Sequence, residues 1–182
     1  MGKSSLRVRE LTCMALLVAL NCISAYLIIP LPFTESPLAL QTLVVNIVGF
    51  LLRPKQAFIV MGVYILLGLA GAPVFTGGMS GFGKMFGPTG GYIWGFLLAA
   101  TIISILKGNT YQWKRFALVS ILVGIPVIYV CGAIQLQVIT HMPWRHVLYI
   151  GVLPFIPLDI VKCLLAVGIA RPILKELSLI HI

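Results

Sequence analysis

Two charged residues stand three apart inside an apolar run: Asp159 and Lys162, within Phe155-Ile-Pro-Leu-Asp-Ile-Val-Lys-Cys-Leu-Leu-Ala-Val-Gly-Ile-Ala170. A charge inside a membrane segment costs roughly 2.5–3.5 kcal/mol on insertion scales, so such residues tend to face a cavity, a partner or a ligand. At a spacing of three they share one helix face and can neutralise each other. The result is a nearly net-neutral polar spot in a hydrophobic chain, offering donors and an acceptor to a neutral polar solute. An internal structural ion pair is the competing account.

Other polar groups can join this chemistry. Gln41 donates and accepts hydrogen bonds, and Asn46 lies more than a turn deeper in the same apolar segment; either can instead bridge helices. Gly87-Pro-Thr-Gly-Gly-Tyr92 opens a span with a proline. Free N–H groups at such a start suit a carboxylate, and glycines admit a ligand or another helix. The spacing leaves both readings open. His141 and His146 read as solvated surface. The four cysteines, scattered singly, read as buried hydrophobes with no disulfide or metal site expected.

The elements that position these groups follow from composition. The 182 residues are 60% hydrophobic and 9% charged, with a mean hydropathy of +1.08; a soluble domain carries about 25% charged residues. An all-α integral membrane protein is expected, one domain over residues 1–182 with about six spans. Six apolar segments stand out, near Leu11–Ile29, Leu38–Leu52, Gln56–Ala70, Pro88–Leu106, Phe116–Gln135 and Pro154–Ala170. The N-terminal segment reads as a retained span rather than a cleaved leader. No phosphate-binding loop, HExxH or CxxC motif is present.

The loops orient the bundle. Ten basic residues fall on one side: Lys3, Arg7, Arg9, Arg53, Lys55, Lys107, Lys114, Arg115, Arg171 and Lys175; Lys84 and Arg145 fall on the other. The positive-inside rule places both termini in the cytoplasm. It also accounts for most of the +9 net charge without nucleic acid. The outer connections are longer: a proline-rich stretch, a glycine-rich loop from Gly71 to Gly87 with three phenylalanines, and a segment around Pro143-Trp-Arg-His-Val-Leu-Tyr-Ile150 suited to a short interfacial helix. A binding site therefore opens outward, beneath loops able to close as lids.

Gly71-Ala-Pro-Val-Phe-Thr-Gly-Gly, Gly87-Pro-Thr-Gly-Gly-Tyr-Ile-Trp-Gly-Phe96 and Pro157-Leu-Asp-Ile-Val-Lys162 together closely resemble the BioY family, the biotin-specific substrate-binding (S) components of energy-coupling factor (ECF) transporters. The resemblance runs from the first span through Leu177. It implies a six-helix, S-component-like bundle in the cell membrane of a prokaryote. Such a protein binds biotin outside, holds no cofactor and is not an enzyme. Its implied partners are a transmembrane coupling protein and two cytosolic ATPases. Ala15 and Ala19 in the first span resemble the small-residue coupling face of such components. On this reading Asp159, Lys162, Gln41 and Ser80 meet the ureido ring, Phe33, Phe75 and Tyr92 wall the bicycle, and Lys84, Thr89 and Gly90 meet the carboxylate. An S component for riboflavin or thiamine is the alternative. A membrane-embedded acid–base enzyme and a channel are more distant rivals.

Overall fold

The computed structural model describes residues 2–29 and 38–179. Among them the chain is helical apart from one two-residue ladder. In order come α1 (Gly2–Ser24), β1 (Ile28–Ile29), β2 (Leu38–Ala39), α2 (Gln41–Leu51), α3 (Pro54–Leu69), α4 (Gly81–Met85), α5 (Gly90–Leu106), α6 (Trp113–Val119), a π-helical turn (Ser120–Gly124), α7 (Ile125–Thr140), α8 (Trp144–Gly151) and α9 (Ile156–Leu179). β1 and β2 run antiparallel, with Ile28 opposite Ala39.

Local chemistry explains the boundaries. Pro54 occupies the first turn of α3, where a missing N–H costs nothing. α7 stops at His141, which adopts a left-handed φ of 55° and returns its N–H to the Gln137 carbonyl at 2.8 Å; Pro143 then bars continuation. α9 extends beyond the apolar run read from the sequence, through Pro172 to Leu179. Pro172 lacks the N–H that would bond the Gly168 carbonyl, and the helix carries on around it.

One continuous helix, Trp113–Thr140, is long and apolar enough to cross a membrane by itself. The pair Trp144–Gly151 and Ile156–Glu176 passes the same test together, bent by 47°. α2, α3 and α5 are apolar but shorter. The bundle packs α5 against α7, α2 and α3, and α9 against α2. Its outer faces carry Leu16, Ile23, Leu66, Leu122 and Val130, all more than half exposed. A water-soluble monomer rarely shows so much apolar surface.

Small residues set the closest helix contact. A side chain at Gly91 would run into the Cys131 carbonyl at 2.2 Å, and one at Gly95 into the Ile128 Cα at 2.8 Å. α5 and α7 therefore touch backbone to backbone, as helices do where lipid supplies no hydrophobic drive for association.

The glycine-rich loop from Gly71 to Gly87 is pinned to the bundle. Phe75 is fully buried, edge-on to Tyr64 with ring centroids 5.7 Å apart. The Gly77 N–H donates to the Ala25 carbonyl at 2.9 Å, and the Tyr26 hydroxyl to the Pro73 carbonyl at 2.6 Å. The loop then winds into α4, leaving Phe82 and Phe86 exposed and stacked on each other.

Candidate binding site around a buried ion pair

α9 carries Asp159 in its first turn, which places the carboxylate near the N-terminal, positive end of the helix. Lys162 follows on the same face, and its Nζ lies 2.9 Å from Asp159 Oδ1. Both residues are about 95% buried. Two further helices supply donors to the carboxylate. The Thr42 hydroxyl, from α2, donates to Oδ1 at 2.9 Å, and the Tyr129 hydroxyl, from α7, donates to Oδ2 at 2.8 Å. Lys162 also donates to the Ala39 carbonyl at 2.6 Å, beside the short ladder.

Counting partners shows what remains. An ionised carboxylate offers about four lone-pair sites and an ammonium three donors. Asp159 accepts three hydrogen bonds and Lys162 makes two. The pair thus keeps capacity for one further acceptor bond, at Oδ2 of Asp159, and one further donor bond, at Nζ of Lys162.

Both residues line a narrow cavity of ≈ 50 Å³ between α2, α5, α7 and α9, well below the roughly 300–1,000 Å³ of an open small-molecule site. Tyr92, Phe96, Ile128 and Phe155 provide its apolar walls; Thr42, Thr76, Lys84 and Thr89 add polar atoms. Tyr92 is held by its hydroxyl, which donates to the Gly151 carbonyl at 2.7 Å, and by a ring seated over Gly132. Lys84 and Thr89 also line a shallower outer recess that includes Ser80, so they stand where the two concavities meet.

The residues singled out from the sequence divide accordingly. Asp159, Lys162, Tyr92, Lys84 and Thr89 come together around the cavity. Gln41 does not line it: fully buried, it donates from Nε2 to the Tyr64 hydroxyl at 2.7 Å and accepts from the Thr76 hydroxyl. It thereby sets Thr76 in the wall. Phe75 is not a wall residue either, because its ring fills the space over Gly68 behind that wall. Gly90 gives close packing rather than ligand access, since a Cβ there would meet the Met85 carbonyl at 1.7 Å. Ser80 is exposed in the outer recess, away from the ion pair. Phe33 lies outside the described residues.

Thr42, Thr76, Tyr129 and Phe155 were not legible as site residues. Thr42 follows Gln41 at the start of an apolar segment, and a hydroxyl there is a weak polar signal. Tyr129, amid apolar residues, reads as an ordinary membrane-helix aromatic until the fold brings it to Asp159.

Ala15 and Ala19 sit on an exposed face of α1, next to exposed Leu11, Leu16, Leu20 and Ile23. Among the described residues the cysteines are free, and no group of three or more His, Cys, Asp or Glu could hold a metal ion.

An apolar outer surface around a helical bundle, with a buried ion pair in the wall of a mostly apolar cavity, is the arrangement of a helical membrane protein. The BioY family model matches residues 1–179, and the chain belongs to the BioY family. It is 35% identical over 170 residues to the biotin transporter BioY2 of Lactococcus lactis subsp. cremoris, covering 93% of this chain and 92% of that one. It is 36% identical over 166 residues to a probable biotin transporter BioY of Pyrococcus horikoshii, covering 91% and 96%. The fold superposes on the crystal structure of the S-component for biotin from an ECF-type ABC transporter with a TM-score of 0.88 at 31% identity, over 96% of this chain and 95% of that one.

Proposed function

We infer that this chain captures biotin at the outer side of the cell membrane and acts in its uptake as the S component of an ECF-type transporter. The observation that carries the reading is the buried Asp159–Lys162 pair at the wall of the cavity, with one acceptor and one donor position not used by the protein. Biotin's ureido ring carries N–H donors next to a carbonyl acceptor. An N–H of the ring donates to Asp159 and its carbonyl accepts from Lys162, both charge-assisted. Thr42 and Tyr129 keep the carboxylate in place while this happens. The thioether bicycle rests on Tyr92, Phe96 and Phe155. The valerate carboxylate points outward to Lys84 and Thr89.

Six spans fit this reading: α1, α2, α3, α5, the continuous α6–α7 helix, and α9. Charge placement supports cytoplasmic termini. Arg53, Lys107, Arg171 and Lys175 line one common recess at the end of the bundle away from Asp159. Gln56, the residue after Lys55, donates to Glu10 of α1 at 3.3 Å, so the N-terminal end of α1 lies on that same side. The protein is a multi-pass component of a prokaryotic cell membrane. It is a binding subunit, not an enzyme, and uses no cofactor or nucleic acid. A transmembrane coupling protein docks on the α1 face around Ala15 and Ala19, and two cytosolic ATPases supply the energy. Ligand and loops move as one occluded unit when the partners reorient the component.

Isothermal titration of the purified protein with biotin, beside Asp159→Asn and Lys162→Ala, tests the reading. Tight binding that either substitution abolishes is the expected result. Tight binding unchanged in both would make the pair structural and remove the proposed contacts. No binding by folded wild-type protein would overturn biotin and turn attention to riboflavin or thiamine.

A further inference from the structure

The end of α9 remote from Asp159 lies against a third concavity that biotin capture leaves unused. Arg171 is twelve residues beyond Asp159 on the same helix, about 18 Å along the axis. α2 ends at Leu51 after 11 residues, about 16 Å of helix against a hydrocarbon core of about 30 Å. α9 runs on past it, and an open recess of ≈ 700 Å³ forms over the short end.

Four cations line this recess, Arg53, Lys107, Arg171 and Lys175, above a floor that includes Tyr111 and Phe116. No acidic side chain is among the lining residues. Lys107 donates to the Phe50 and Leu52 carbonyls, both at 2.6 Å, which leaves one of its three donors. Burial alone pushes its ammonium down to about 8, and an anion in the recess would offset that desolvation. The Tyr111 and Phe116 rings meet edge to face at 5.0 Å, a rigid apolar base under the charges.

We propose that this recess binds the phosphodiester of an anionic membrane phospholipid, held by Arg53, Lys107 and Arg171. Cations above an aromatic and aliphatic floor repeat the order of a bilayer interface, with headgroup charge outside and hydrocarbon within. Phe50 and Leu51 at the end of α2 continue that apolar floor. A helix too short for the bilayer draws lipid toward it, and basic pockets between membrane helices suit anionic headgroups. A free phosphate shares the charge chemistry but has nothing to place on the apolar floor.

Native mass spectrometry of the full chain in neutral detergent tests this, with phosphatidylglycerol and phosphatidylcholine of identical acyl chains as probes. Phosphatidylglycerol is expected to be retained selectively. The Arg53→Gln/Arg171→Gln pair should weaken that retention roughly thirtyfold, on the order expected for two interfacial charges. Lys55→Gln/Lys114→Gln removes the same charge from the same side outside the recess and should leave retention unchanged. Unimpaired biotin binding by the Arg53/Arg171 pair verifies its fold; should it misfold, Arg171→Gln alone, exposed on α9, should weaken retention about fivefold. Equal weakening in the two paired variants, or equal retention of phosphatidylcholine, would overturn the proposal. Displacement by sn-glycerol 3-phosphate at matched concentration would overturn the lipid assignment. Loss of assembly with the coupling protein in the Arg53/Arg171 pair, without any lipid selectivity in the wild type, would make the recess a protein contact and end the proposal.

Discussion

The Tyr129 hydroxyl donates to Oδ2 of Asp159 at 2.8 Å, across the gap between α7 and α9. Thr42 and Lys162 take Oδ1. The carboxylate is therefore held in one orientation by donors from α2, α7 and α9.

Tyr129→Phe should leave the fold intact and weaken biotin binding about tenfold, on the scale of one hydrogen bond to a charged group. Titration calorimetry reads the loss. Affinity equal to wild type would show that Lys162 and Thr42 orient Asp159 without it.

Removing one member of the buried pair should destabilise the protein more than removing both. Lys162→Met strands a buried carboxylate, at about 3–5 kcal/mol for a broken buried pair. Lys162→Met/Asp159→Asn should recover part of that in thermal unfolding in detergent while failing to bind biotin. A double variant less stable than Lys162→Met would contradict the accounting.

Gly132→Ala places a methyl 2.3 Å from the Tyr92 ring. The ring must move, at about 1–3 kcal/mol for overpacking, and the cavity wall shifts with it. Adding Tyr92→Leu should restore the unfolding temperature but not biotin affinity. Restored affinity would remove Tyr92 from the site.

Leucine at Ala15 or Ala19 enlarges an outward face of α1 without touching the cavity. Assembly with the coupling protein should fall, with biotin affinity unchanged. Pull-down of the assembled complex beside titration of the isolated chain separates the two effects, and a parallel loss of affinity would join them.

Hydropathy, the placement of basic residues and a charged pair at i, i+3 are local properties of a chain. They were enough to establish a helical membrane class and to mark Asp159 and Lys162, because an ion in an apolar run has few places to go. The short helix after Pro143 was equally legible from its composition, and α8 occupies Trp144–Gly151. The partners of the pair were not. Thr42 and Tyr129 lie 117 and 30 residues from Asp159 in sequence, and only the packing of α2, α7 and α9 converts two ordinary hydroxyls into donors for one carboxylate. Gln41 and Phe75 show the reverse case. Their residue types suited a ligand, but the tertiary fold turns Gln41 toward Tyr64 and Thr76 and tucks Phe75 over Gly68. Residue type sets what a side chain can do; the direction in which a packed backbone points it decides what it does.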